Sequence, residues 1–193
     1  MTSHEAASAW ALAGGARPPR LPKGITLPTD RMLVMGILNV TPDSFSDGGR
    51  FFDPGAAFEH AVQMVEAGAD LVDLGGESTR PNSQRISEDE EWERIGATIQ
   101  RLTQAGIVVS VDTLHAITAR RAADAGAAII NDVSGGRWDP QMNAAVAQTS
   151  CAYVIQHYRA LPGMLEESFD YGDQPIAVAL RERVASQVRD ALE

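Results

Sequence analysis

The chain has 193 residues, a length that favours one domain large enough to bury a substantial core. Hydrophobic residues make up 44% and charged residues 22%, which is ordinary for a soluble globular protein. The net charge of −10 predicts a surface that repels polyanions and anionic lipid, so neither nucleic acid nor a membrane is an expected partner.

The cysteine content and the apolar patterning favour the cytoplasm. Cys151 is the only cysteine, so an internal disulfide is impossible, as suits a reducing compartment. No apolar run approaches the ~18 residues of a membrane span, and the first residues lack the basic-then-apolar order of a signal peptide. We therefore expect a cytoplasmic protein.

Residues 1–30 differ from the rest of the chain. They contain Gly14-Gly15, Pro18-Pro19, Pro22 and Pro28 without sustained apolar periodicity. This pattern predicts a flexible amino-terminal extension, followed by one domain over residues 31–193.

From residue 31, short apolar runs alternate with amphipathic stretches. The runs predict five strands, at residues 32–38, 71–74, 107–111, 128–130 and 153–155. The amphipathic stretches predict five helices that begin near residues 54, 87, 115, 140 and 176. The first run is almost continuously apolar, which predicts a strand buried on both faces. Glu88 to Glu91 are expected to form a solvated acidic face that complements the helix dipole.

The alternation of strands and helices, with short turns such as Ala67-Gly68, predicts an α/β fold with a parallel sheet. Two architectures fit this pattern: an open doubly wound sheet and a (β/α) barrel. No G-x-G-x-x-G follows the first strand, which weakens a dinucleotide-binding version of the first.

Each predicted strand is followed by polar residues at its carboxyl end. In parallel α/β folds that edge carries the active site, so these residues predict one binding cup. The alternative is that they cap the following helices, and this remains open above all for Thr113 and Asp132. The polar residues are Asn39, Glu77 to Arg80, Asp112 and Thr113, Asn131 and Asp132, and His157 with Arg159.

The same segments resemble dihydropteroate synthase, a transferase of folate synthesis. GILNVTPDSFSDGG at 36–49 and GGESTRP at 75–81 are similar to the first two loops of that family. SVDT at 110–113 and INDVSGG at 130–136 are similar to its third and fourth strand ends. The resemblance covers residues 31–193 and implies a (β/α)8 barrel of the TIM type. It also implies a cytoplasmic enzyme whose full-length form is a homodimer.

The resemblance implies a reaction between p-aminobenzoate and 7,8-dihydropterin-6-ylmethyl diphosphate, which gives dihydropteroate and diphosphate. Asn39 would be a ligand of Mg2+, which prefers oxygen donors and is shared with the diphosphate. Asp112 and Asn131 would bind the pterin edge, because a carboxylate and an amide match the donors and acceptors of an aminopyrimidinone. Thr79 and Arg80 would bind the diphosphate, with Arg80 supplying local positive charge.

The first loop would contribute to the p-aminobenzoate side of the cup. The resemblance implies that Phe45 and Pro81 form the walls of that site. It also implies that Asp47 acts in catalysis, either on the pterin methyl cation or on the amine. The simpler alternatives are that Phe45 anchors its loop to the core and that Asp47 is a turn residue before Gly48.

The sequence departs from the family mainly in length, since a (β/α)8 barrel needs ~250 residues and only five βα units are predicted. No Asp-Pro-Gly follows the fifth strand, and the Ser-Arg-Lys and Arg-x-His motifs of the family are absent. We therefore expect an incomplete barrel, inactive as this chain alone, and poorly soluble without a complementing partner. Gln156 also stands where a methionine is usual near the pterin.

Two other functions remain open. A pterin-binding methyltransferase domain shares the barrel but has no need for the first two loops. A non-catalytic, pterin-binding remnant or paralogue fits the short length, although Asn39, Asp47, Arg80, Asp112 and Asn131 are all retained.

Overall fold

The computed structural model describes residues 21–22, 24–41, 54–78, 85–156 and 173–192. The predicted boundary between an extension and a domain near residue 30 stays a prediction. None of the helices in these ranges is long and apolar enough to cross a membrane.

Within these ranges five strands alternate with five helices, as the sequence predicts. The strands are β1 (Met35–Asn39), β2 (Leu71–Gly75), β3 (Val109–Asp112), β4 (Ile129–Asp132) and β5 (Ala152–Ile155). The helices are α1 (Pro54–Glu66), α2 (Glu88–Gln104), α3 (Ala116–Asp124), α4 (Met142–Ala147) and α5 (Ile176–Leu192).

The strands form one parallel sheet in the order β1-β2-β3-β4-β5. A doubly wound sheet reverses its direction of growth at a switch point, whereas a (β/α) barrel adds each strand on the same side. The order never reverses here. The α/β prediction is therefore confirmed, and the sheet is the arc of a barrel.

The apolar core lies between the sheet and its helices. Alternate residues of the central strands, which share one face, are fully buried there: Val72, Leu74, Val109, Val111 and Ile130. They pack with Ile95, Ile99 and Leu102 of α2. Burial of each such side chain contributes about 1.5–3 kcal/mol, so this layer fixes the positions of β2, β3 and β4.

The prediction that the first strand is buried on both faces is wrong. β1 begins at Met35, and Met35 and Ile37 are 46% and 62% exposed while Leu38 is only 1% exposed. β1 is at the edge of the sheet, and its second face belongs to the concave side, which no described helix covers. Val154 of β5, 39% exposed, opens onto the same side.

Short glycine turns return the first three helices to the sheet. Gly68, Gly106 and Gly126 have φ values of +109°, +79° and +98°. This conformation is accessible to glycine and strained for other residues, so the predicted Ala-Gly turns are confirmed. The turns leave the opposite ends of the strands for the longer loops, where the polar residues cluster.

Candidate active site

The carboxyl ends of four strands align their residues in one row. Asn39 pairs with Gly75, Gly75 with Asp112, and Asp112 with Asn131. We call these four residues the polar row. Residues paired across parallel strands point to the same face, so the structure brings the predicted Asn39, Asp112 and Asn131 together on the concave side.

Gly75 separates the first two functional side chains of the polar row. A Cβ atom at Gly75 would lie 3.4 Å from Asn39 Oδ1 and 3.7 Å from Asp112 Oδ2. Both oxygens therefore lean over this glycine from opposite sides. The absence of a side chain leaves a small space between an amide oxygen and a carboxylate.

The pKa of Asp112 is raised far above its ordinary value, to about 7. Burial is the largest cause, and the negative charges of Asp73, Glu91, Asp132 and Glu77 add to it. Its Oδ1 atom is buried and accepts no hydrogen bond from the parts of the chain that the structure describes. A ligand N–H directed at this oxygen would satisfy it.

Asn131 is held by a chain of hydrogen bonds. Its Nδ2 donates to Asp73 Oδ2 at 3.1 Å, and its Oδ1 accepts from Gln156 Nε2 at 2.8 Å. Ser110 Oγ donates to Asp73 Oδ1 at 2.5 Å. Burial raises the pKa of Asp73, while the bonds from Ser110 and Asn131 oppose that shift.

The sequence prediction did not single out Asp73, although a signal for it exists. Asp73 and Gly75 are two positions apart on β2, as Ser110 and Asp112 are on β3. A spacing of two places such residues on one face of a strand. The polar positions in these apolar runs therefore mark the concave face.

Thr113 and Asp132 face the other way, as the capping alternative allows. Thr113 Oγ1 donates to Glu91 Oε2 at 2.7 Å and accepts from the His115 backbone N–H at 3.1 Å. Asp132 accepts from the backbone N–H groups of Ser134 and Gly136 at 2.8 and 2.7 Å. Both side chains stabilise the turns that follow their strands, and neither lies on the concave face.

Glu91 corrects the prediction of a fully solvated acidic face on α2. Its residue exposure is 0%, whereas Glu90 is exposed. Four consecutive residues cover a whole turn of 3.6 residues, so one of the four must face the sheet. Burial raises the pKa of Glu91, and Thr113 supplies a compensating hydrogen bond.

Glu77 lies between an arginine and a histidine at the end of β2. Arg85 Nη1 lies 2.8 Å from Glu77 Oε1, and His115 Nε2 lies 3.0 Å from Glu77 Oε2. Arg85 Nη2 also donates to the Ser78 carbonyl at 3.0 Å. These contacts fix the backbone at the start of the predicted second loop.

Five of the predicted site residues lie outside the described ranges: Phe45, Asp47, Thr79, Arg80 and Pro81. His157 and Arg159 lie outside them as well. Their roles stay predictions. Within the described ranges, no three His, Cys, Asp or Glu side chains converge in a way that could hold a metal ion.

Comparison with known proteins connects this geometry to a family. A family model described as "Pterin binding enzyme" matches residues 35–192. The dihydropteroate synthase of Synechocystis sp. is 45% identical over 159 residues, which are 81% of this chain and 55% of that protein. The chain thus spans about half the length of such relatives.

Solved structures agree with the sequence relatives. The dihydropteroate synthase of Clostridium difficile, determined with pteroic acid, has a TM-score of 0.75 and 37% identity, covering 84% of this chain and 59% of that one. The enzyme of Burkholderia cenocepacia, complexed with 7,8-dihydropteroate, has a TM-score of 0.70 and 34% identity. It covers 84% of this chain and 55% of that one.

Proposed function

Because the chain belongs to the family of pterin binding enzymes, we propose that its concave face is the pterin-binding part of a dihydropteroate synthase active site. The reaction joins p-aminobenzoate to 7,8-dihydropterin-6-ylmethyl diphosphate. The amine nitrogen forms a bond to the pterin methylene carbon, the C–O bond to diphosphate breaks, and the amine proton leaves to solvent. The polar row, in a chain 45% identical to a dihydropteroate synthase, is the observation that carries this proposal.

The pterin ring would bind between Asp112 and Asn131. An aminopyrimidinone presents donors and acceptors side by side along one edge. Asp112 offers a buried oxygen without a described donor, and the Asn131 amide offers both a donor and an acceptor. Burial strengthens such bonds, because water does not compete for them.

Asn39 fits a site for a weakly held Mg2+ ion. Asn39 is exposed, and its amide oxygen borders the gap at Gly75, opposite Asp112 Oδ2. Mg2+ is commonly held by one or two protein oxygens, with substrate phosphates and water completing its shell. When bound, the ion would neutralise charge that develops on the departing diphosphate.

The remaining roles rest on residues outside the described ranges. Thr79 and Arg80 would bind the diphosphate, and Glu77 with Arg85 would hold the backbone that leads to them. Phe45 and Pro81 would border p-aminobenzoate, with Asp47 near the reacting centre. We also propose a cytoplasmic location and a homodimer for the complete protein.

The test is substrate-dependent release of diphosphate. This chain should bind the pterin diphosphate. The full-length protein should release diphosphate only when p-aminobenzoate and Mg2+ are both present. Asp112→Asn should abolish both binding and release. Asp89→Asn makes the same exchange on an exposed side chain of α2 and should leave both unchanged.

Two results would count against the proposal. Failure to bind the pterin diphosphate would remove its basis. Release that proceeds without p-aminobenzoate would instead indicate a diphosphatase.

A further inference from the structure

The side-chain amide of Asn131 can offer a ligand its donor and acceptor in either of two positions. Rotation of its side-chain amide by half a turn exchanges the oxygen and the NH2 group with almost no change in shape. One orientation offers a donor where the other offers an acceptor. Recognition by this residue therefore depends on what fixes the amide.

Asp73 imposes one orientation. As a carboxylate it has no proton to donate, and its Oδ1 already accepts from Ser110 Oγ at 2.5 Å. The hydrogen bonds from Ser110 and Asn131 favour this carboxylate form against the effect of burial. Only the NH2 end of Asn131 can therefore face Oδ2, at 3.1 Å. The reversed amide would bring two oxygens together in a site where Asp73, Ser110 and Asn131 are 6%, 1% and 5% exposed.

Gln156 adds a hydrogen bond that favours the same orientation. Its Nε2 donates to Asn131 Oδ1 at 2.8 Å when Asp73 has oriented the Asn131 amide. The side-chain amide of Gln156 can itself rotate, so Asp73 decides the orientation and Gln156 reinforces it. The backbone of Gln156 is held, because Gln187 of α5 donates from Nε2 to its carbonyl at 3.3 Å.

We propose that Asp73 and Gln156 are positioning residues that lock the Asn131 amide in one orientation, and so determine which ring edge the polar row accepts. This rests on the proposed function, in which Asn131 binds the pterin. The locked amide keeps one N–H and one oxygen lone pair for a ligand, in a fixed order. That order selects a 2-aminopyrimidinone ring over a 2,4-dione of the same shape.

The lock is tested by a ratio of two affinities. The probes are 6-hydroxymethylpterin and the matching 6-hydroxymethyllumazine, in which an oxygen replaces the 2-amino group. Calorimetry gives both dissociation constants on the same sample of the protein. Because any loss of folded protein affects both titrations equally, the ratio reports discrimination rather than stability.

Two variants remove the lock with little change in side-chain size. Asp73→Asn can donate as well as accept, and Gln156→Met loses its donor. Each variant should lower the preference for the pterin by about fivefold, the equivalent of one hydrogen bond. The matched control Gln148→Met makes the same exchange at an exposed position that ends α4 and should keep the wild-type ratio.

A second readout follows the amide without any ligand. In 15N-labelled protein, the side-chain NH2 signals of Asn131 are assigned by their loss in Asn131→Asp. They should shift in Asp73→Asn and Gln156→Met and stay in place in Gln148→Met.

The outcomes separate this inference from the proposed function. If the wild-type protein binds the pterin but both variants keep its ratio, or lose both affinities in equal proportion, the lock is wrong and the function stands. If the wild-type protein does not bind the pterin, the proposed function fails and the recognition role of the lock fails with it. Unchanged Asn131 signals in both variants would overturn the lock itself.

Discussion

His115 Nε2 lies 3.0 Å from Glu77 Oε2, which joins the start of α3 to the end of β2. The hydrogen bond to Glu77 is the main reason that the pKa of His115 lies above its ordinary value of 6.5. Glu91 and Glu88 act in the same direction, and partial burial opposes them. The pair should therefore make the stability of the protein depend on pH.

The direction of that dependence follows from the raised pKa. The folded state favours protonated His115. The stabilisation that this gives to the fold is therefore complete below pH 6.5 and is lost as the pH rises through the raised pKa of His115 in the folded protein. His115→Leu should cost about 1–2 kcal/mol at pH 5.5 and much less at pH 9. Urea unfolding at both pH values measures this difference.

His60→Leu is the matched control, because His60 is exposed on α1. His60→Leu should not lower the free energy of unfolding at pH 5.5 alone. An equal loss at both pH values in His115→Leu would mean that His115 acts by packing and not by its charge.

Thr113 should be sensitive to loss of its hydroxyl group. Thr113→Val keeps the shape but leaves the fully buried Glu91 without its 2.7 Å hydrogen bond. It also removes the acceptor for the His115 backbone N–H. We expect a loss of about 1–3 kcal/mol in the free energy of unfolding. Thr113→Ser should restore most of it, and equal stability of Thr113→Val and wild type would contradict this role.

The two adjacent glycines at the end of β2, Gly75 and Gly76, should respond differently to alanine. A Cβ at Gly76 would lie 2.9 Å from Ile95 Cγ2 and 3.2 Å from the Glu91 carbonyl, too close for either to remain in place. Gly76→Ala should therefore destabilise the protein by about 1–3 kcal/mol through overpacking. At Gly75 the nearest atom would be at 3.4 Å, which is ordinary contact.

Gly75→Ala should accordingly fold with almost normal stability. Its methyl group would occupy the space between Asn39 and Asp112, so binding of the pterin diphosphate should weaken. Thermal unfolding and calorimetry on both variants separate the two effects. Equal loss of stability in both would show that the gap at Gly75 has a structural role.

Ligand affinity should depend on the proton of Asp112. If the carboxylate accepts from the pterin, binding should strengthen as the pH rises to about 7 and level off above that value. Below it, affinity should fall up to tenfold per pH unit. Calorimetric titrations with 6-hydroxymethylpterin between pH 5.5 and 8.5 test this, and a flat profile would show that the protonated acid binds equally well.

The ionised carboxylate of Asp112 should destabilise the folded chain at high pH. Its folded pKa of about 7 exceeds the ordinary 3.8, so its charged form is disfavoured on folding. The penalty begins above pH 4 and is complete above pH 7. Asp112→Asn should therefore be more stable than wild type at pH 8, and the advantage should disappear toward pH 4.

The order and type of the elements were predictable because each strand is a compact apolar run and the first three helices end at glycine turns. Gly68 and Gly126 mark these turns in the sequence and adopt positive φ in the structure. Patterning alone did not decide between a doubly wound sheet and a barrel, because βαβ patterning is the same in both, whereas the resemblance of the strand-end motifs implied the barrel. Strand order decides it, and strand order is a property of long-range pairing.

The candidate site was predictable in part. Position at strand ends identified Asn39, Asp112 and Asn131, since parallel strands bring such residues to one edge. It left a capping role open for Thr113, which is adjacent to Asp112 and points to the opposite face. The hydrogen-bond chain through Asp73 and Gln156 was not predicted, because its members come from β2, β3, β4 and the end of β5.

The sequential strand order has a consequence for how the chain folds. Paired strand residues are only 19 to 37 positions apart, from Ser110 with Ile129 to Val72 with Val109. Closing loops of these lengths costs similar entropy, since doubling a loop adds about 0.6 kcal/mol. Each βα unit can therefore dock on the preceding one as it leaves the ribosome, with no wait for a distant partner. The polar row is assembled in the same order, from Asn39 to Asn131, and gains its last restraint only when Gln156 arrives.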